Sequence, residues 1–191
     1  MTAKAVSLAL SSSSVGLMRA ISLTQPWASL IAIGAKTIET RSWPTLYRGP
    51  IAIHAAKGFP TWARNECWDE PFRRVLTDAQ LVDFGGDANL GHHATARFSR
   101  LPLGAIVAVA VLVAIRPTDE VREGISLQEQ HFGDYSDDRF AWELREVLPL
   151  SRPVSCRGAL GLWEMAPEVR RAVQAQTAAG RWSRVLEESP L

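Results

Sequence analysis

A chain of 191 residues, 47% of them hydrophobic, can bury one sizeable core and is short for two. A formal charge of +1 lacks the global basicity of a sequence-independent nucleic-acid binder, and two distant cysteines supply neither a disulfide framework nor a zinc knuckle. The strongest apolar run, residues 105–115, is too short to cross a bilayer, so a cytoplasmic protein without membrane attachment is expected.

Residues 1–18 are expected to be a disordered leader, because Ser11 to Ser14 interrupt the apolar run and no cleavage site follows; Met18 is a candidate start. From Arg19 to Leu23 the pattern is that of a strand. Thr24 as N-cap and Pro26 in the first turn introduce an apolar helix over 27–33, with Trp27 buried in it, and Gly34 ends it in a left-handed conformation. Residues 36–41 alternate as a strand, which puts Thr37, Glu39 and Arg41 on one face and Ile38 and Thr40 on the other. Lys36, at the turn, is placed to reach round to Glu39 and Arg41.

Tyr47 to Pro50 reads as a turn and Ile51 to His54 as a strand. Helices are expected over 59–68 and 78–84, followed by a loop over 85–100 that holds His92 and His93; residues 60–103 read as an insertion. The branched apolar run 105–115 predicts a central strand buried on both faces. A short helix at 126–132, a strand at 140–148 and a last strand at 160–165 complete a domain over 19–166. Pro167 then opens a C-terminal helical extension over 167–191.

Charge is uneven along the chain. Residues 19–64 carry six basic residues against Glu39 alone, whereas 117–147 carry nine acidic residues against three arginines, which suits a protein-binding face there. Lys36, Glu39 and Arg41 admit two readings. One is an exposed salt-bridged strand end, worth about 0–1 kcal/mol. The other is a ligand site in which the cations hold phosphate or a base edge and Glu39 accepts from an exocyclic amine, with helix N–H groups at Pro26 to Ala28 nearby. Trp43, in the loop after the charged strand, is a candidate stacking platform. His54 is either a general base or a hydrogen-bonded core residue. No metal spacing or Gly-x-Ser-x-Gly elbow occurs, and Cys156 beside Arg157 has no histidine partner in sequence.

The stretch Ile21-Ser22-Leu23-Thr24-Gln25-Pro26-Trp27-Ala28, then Gly34-x-Lys36-x-x-Glu39-x-Arg41-x-Trp43, then Tyr47-Arg48-Gly49-Pro50-Ile51-x-Ile53-His54, closely resembles the ASCH domain, the homology domain of activating signal cointegrator 1. Phe140-Ala141-Trp142 and Gly158-Ala159-Leu160-Gly161-Leu162-Trp163 are similar to its end. The resemblance implies an α+β fold, a PUA-like β-barrel with helices packed at its openings plus the C-terminal helix. It implies RNA or a modified nucleoside as partner, bound without a cofactor. Lys36, Glu39 and Arg41 would line the cleft and Gln25, Pro26 and Trp27 border it; Trp43, Arg48 and His54 complete the candidate set.

One branch of the superfamily resembles an amidohydrolase acting on N4-acetylcytidine through a lysine, a threonine and a separate glutamate. Lys36 matches the lysine, but Glu39 stands at the threonine position. Glu39 would then serve as general base with Lys36 holding the oxyanion. Asp119, Glu120 and Glu123 are candidates for the further carboxylate, and cleavage of RNA is a second candidate activity.

Overall fold

The computed structural model describes residues 18–85, 95–177 and Trp182. Residues 1–17 of the leader expected over 1–18 and the His92-His93 pair lie outside the described residues, while Met18 itself is buried in the core.

Six strands form one curled sheet, a half barrel, in the order β2-β7-β6-β3-β1-β8. These are β1 (Arg19–Leu23), β2 (Ile38–Arg41), β3 (Gly49–Ala55), β6 (Ala105–Pro117), β7 (Phe140–Ser155) and β8 (Leu162–Glu164). Pairing is antiparallel throughout except between β1 and β3. Helix α1 (Trp27–Ala32) provides the crossover those two parallel strands need. Strands β4 (Asp83–Gly85) and β5 (Thr95–Arg97) pair in a separate ribbon.

The sheet is covered on both faces along residues 105–112 of β6, which is why that part reads as an unbroken apolar run rather than an alternation, whereas Val113 is exposed and the burial expected as far as 115 stops short. One face gathers Ile21, Leu23, Ile51, Ile53, Ala108, Ala110 and Trp142 beneath Ala28 and Ile31 of α1. The other gathers Ala20, Ala52, Ile106, Val109 and Met165 around Val173 of α6 (Pro167–Thr177). A third cluster ties the expected insertion to the barrel. Ala63 of α2 (Thr61–Glu66) and Phe72 and Leu76 of α3 (Phe72–Asp78) pack with Leu30 of α1 and with Phe132, which follows α5 (Leu127–His131). A short helix, α4 (Thr118–Val121), leads out of β6.

Three expectations need correcting. Pro26, not Thr24, stands at the cap of α1 and offers no side-chain bond; the Gln25 side-chain carbonyl does that work instead, accepting from Ser29 N–H at 3.1 Å. The helix expected over 78–84 lies earlier in the chain, and residues 83–85 form β4 instead. The helix starts after Pro71, buries Phe72 and Leu76 one turn apart, and ends at Asp78, after which Gln80 turns the chain with φ of 56°. Strand β7 continues to Ser155 through Pro149 and Pro153, because register shifts against β6 absorb the missing donors that read as a strand end. Gly34 does adopt the left-handed conformation expected of it, with φ of 75°.

Candidate functional site

A cleft of about 500 Å³ opens between the ends of β1 and β2, helix α2 and the segment 131–139. Alternation in β2 sets one wall: Ile38 and Thr40 point into the protein, while Glu39 and Arg41 stand half-buried on the other face. Arg41 Nη2 donates to the Ser22 carbonyl at 2.8 Å, joining β2 to β1. Its Nε lies 3.1 Å from Glu39 Oε1, a contact of charge rather than an aligned hydrogen bond. Opposite, Trp62 and Glu66 share a face of α2, being four residues apart. Trp27 stands 5.6 Å from Trp62 between ring centroids, so two indoles form an aromatic side of the cleft. Arg139 and Asp134 close the far end, paired at 3.3 Å. Bonds from Ser136 hold the Asp134 carboxyl below its ordinary range, with Arg139 adding to the effect.

Lys36 belongs to the opposite face from Glu39 and Arg41. Its side chain is fully buried, with Nζ 3.5 Å from Glu129 Oε1. Burial pushes its ammonium pKa down, against the opposing pull of Glu39 and Glu129. Glu129 also accepts from Thr37 N at 2.8 Å, Thr37 Oγ1 at 3.0 Å, Ile38 N at 3.3 Å and Tyr135 Oη at 3.4 Å. Burial, then the adjoining Glu129, raises the Tyr135 phenol well above its usual range, so it stays protonated. Lys36 Nζ and Thr40 Cγ2 each come to 3.3 Å of where a Cβ on Gly133 would sit, and Gly133 and Thr40 both line the cleft. The buried pair therefore lies directly behind the cleft floor.

The other sequence candidates fall in different places. Gln25 is buried and spends its amide on Ser29 Oγ and the Pro102 carbonyl, both at 2.8 Å, and Pro26 is buried beside it. Trp27 is half-buried and lines the cleft rather than filling the core. Trp43 packs edge-on against Trp142 at 4.7 Å and leans on the main core. Arg48 is exposed and bonds the carbonyls of Thr45 and Tyr47. His54 faces a second hollow of about 1050 Å³, lined also by Lys57, Leu103, Cys156, Arg157 and Leu160. There its Nδ1 lies 3.1 Å from Ser22 Oγ and its Nε2 3.3 Å from the Cys156 carbonyl. Burial lowers the His54 pKa, with the Cys156 carbonyl opposing. Burial also pushes the Cys67 thiol up to about 12, so it is inert. Asp119, Glu120 and Glu123 are absent from the cleft lining; Glu129 is the carboxylate that meets Lys36.

Sequence reasoning missed Glu129, Trp62, Arg139 and Ser22. For Glu129 a signal existed, since Ser126 three residues earlier gives the spacing of a helix cap, and Ser126 Oγ accepts from Glu129 N–H at 3.1 Å. Among the described residues no three His, Cys, Asp or Glu side chains converge as metal ligands would. No described helix is long and apolar enough to cross a membrane.

The family model of the ASCH domain matches residues 21–153. Among solved structures the chain is similar to an ASCH protein from Zymomonas mobilis, at 16% identity over 83% of this chain and 94% of that one, with a TM-score of 0.48. Crystal structures of two mutants of that protein match with TM-scores of 0.45 and 0.47, also at 16% identity and 83% coverage of this chain, over 97% and 95% of theirs. No curated protein sequence matches the chain.

Proposed function

The chain belongs to the ASCH-domain family, and from that premise we propose that it binds RNA or a modified nucleoside with one base held in the cleft of Glu39 and Arg41. The observation that carries this reading is the pairing of those two side chains on one wall with the Trp27 and Trp62 indoles on another. Indole faces suit any base, at about 1–3 kcal/mol per stacked base. A carboxylate accepts from an exocyclic amine, and a guanidinium donates to a base carbonyl or ring nitrogen. The cleft volume lies within the usual range for small ligands. The test is a titration of RNA and of N4-acetylcytidine against the parent protein, Arg41→Ala and Glu39→Gln, each first shown to be folded. Affinity should fall in both variants; unchanged affinity in both would defeat the assignment of this cleft.

A hydrolase is the second reading, favoured by the Lys36 ammonium, paired with Glu129, lying close to the cleft floor at Gly133. Glu39 would activate water as general base, and Lys36, reached through a small displacement of Gly133, would stabilise the oxyanion on an N4-acyl group. Incubating the protein with N4-acetylcytidine and with a mixed RNA pool, with product followed by mass spectrometry, separates the two readings. Conversion abolished by Glu39→Gln supports the hydrolase. Absence of conversion by protein that still binds leaves a binding module. The acidic stretch 117–147, in which Arg122 pairs with Asp137, is a proposed protein-binding face, and its segment 131–139 also lines the cleft.

A further inference from the structure

The cleft and the second hollow share one residue, Ser22, and differ in charge. In the cleft the carboxylates of Glu39, Glu66 and Asp134 stand against Arg41 and Arg139, a set suited to a neutral base rather than to phosphate. The hollow carries Lys57 and Arg157, both exposed, and no Asp or Glu lines it. Beside those cations stand Leu103 and Leu160, large apolar side chains left 44% and 97% exposed. Two cations next to bare apolar surface match a group that is anionic on one side and flat and apolar on the other.

The strap that carries Arg157 and Leu160 is held close to the shared residue. Ser22 Oγ donates to the Ala159 carbonyl at 3.0 Å and receives Trp163 Nε1–H at 3.1 Å. A Cβ on Gly158 would come within 2.6 Å of Ser22 Oγ, so only glycine lets the strap lie this near. Ser22 thus anchors the hollow through its side chain and the cleft through its carbonyl, which takes the Arg41 bond.

We propose that the hollow is a second nucleotide subsite. It holds the phosphate and the flanking nucleotide of a single-stranded RNA whose recognised base sits in the cleft. Lys57 and Arg157 neutralise the phosphate, and Leu103 and Leu160 cover the neighbouring sugar and base. This rests on the RNA-binding reading of the cleft and sharpens it: the ligand is an oligonucleotide rather than a free nucleoside.

The experiment is a fluorescence-anisotropy titration of a labelled single-stranded RNA octamer between about 50 and 200 mM salt. It uses the parent protein, the double variant Lys57→Ala/Arg157→Ala, and Arg41→Ala, with unlabelled cytidine and cytidine 5′-monophosphate as competitors. The double variant should bind the octamer several-fold more weakly, and its affinity for cytidine should not change. Its salt slope should become shallower by about 0.7 for each phosphate that it no longer neutralises. Unchanged octamer affinity and slope in the double variant, with Arg41→Ala still weakened, would overturn the subsite and spare the cleft. Cytidine 5′-monophosphate competing as tightly as the octamer would also overturn it, in favour of a free-nucleotide site. No binding of the octamer by the parent would overturn the subsite and leave the cleft with a free nucleoside as its ligand.

Discussion

Lys36 and Glu129 lie 93 residues apart in sequence and meet with 3.5 Å between ammonium nitrogen and carboxylate oxygen, their side chains 0% and 8% exposed. The same carboxylate takes the N–H groups of Thr37 and Ile38, so it fixes the first turn of β2 from below. Glu39 and Arg41 stand on the opposite face of that strand. Helix α5 therefore sets the height and angle of the cleft wall without contributing Glu129 to its lining.

Removing one partner of this pair should be costly, because the other charge is left buried. Lys36→Met is expected to lower stability by about 3–5 kcal/mol, and Glu129→Gln by a comparable amount since Thr37 and Ile38 lose a charged acceptor as well. The double variant Lys36→Met/Glu129→Gln should lose less than the two single losses together. Urea unfolding of the four proteins measures the coupling. A Lys36→Met midpoint equal to that of the parent would show that the pair does not constrain the fold.

His54 makes stability depend on pH in a stated direction. Its folded pKa is depressed below the ordinary 6.5, mainly by burial, so between those two values the unfolded chain binds more protons than the native one. Stability then falls as pH drops through 6.5 towards the folded pKa, and levels off below it as far as this group is concerned. His54→Gln should flatten this part of the profile when thermal midpoints are compared between about pH 7.5 and 5, a range that spans the histidine titration. The same slope in both proteins would assign the effect to another group.

Much of the barrel was legible because its strands bury one or both faces. The alternation over 36–41 gave the two faces of β2 correctly, with Ile38 and Thr40 inside, and the run over 105–115 marked β6 as central. Lys36 shows the limit of that reasoning. Parity already put it with Ile38 and Thr40, but its charge argued for solvent, and only the distant Glu129 explains how an ammonium is held inside. Tryptophans were harder still. Trp43 and Trp62 both follow proline-containing or charged segments, yet Trp43 meets Trp142 across the sheet edge whereas Trp62 meets open space over the cleft. That difference arises from how the insertion packs on α1, which no local pattern encodes.

Trp62 offers a direct test of stacking, since it is 57% exposed and belongs to a short helix at the cleft mouth. Trp62→Ala should weaken RNA binding by roughly 1–3 kcal/mol while leaving the unfolding midpoint close to that of the parent. Trp27→Ala should lower both affinity and stability, because Trp27 also packs edge-on against Phe72 at 5.7 Å. If Trp62→Ala binds like the parent, the ligand's base does not rest on this ring.

Gly133 separates the cleft from the Lys36 ammonium, and its neighbours leave no room for a side chain. A Cβ there would approach Tyr135 Cε2 to 2.7 Å and both Lys36 Nζ and Thr40 Cγ2 to 3.3 Å. The Tyr135 ring is buried and bonded to Glu129, so it cannot swing away without breaking the network. Gly133→Ala is therefore expected to cost about 1–3 kcal/mol by overpacking, and to weaken ligand binding by displacing the cleft floor. Gly124 is the control, because a Cβ there would meet nothing closer than the Val121 carbonyl at 3.7 Å. Gly124→Ala should leave stability unchanged or raise it by up to about 1 kcal/mol through the unfolded chain. Equal stability of the two variants would mean that the neighbours of Gly133 relax freely, and that the floor over Lys36 is softer than its packing implies.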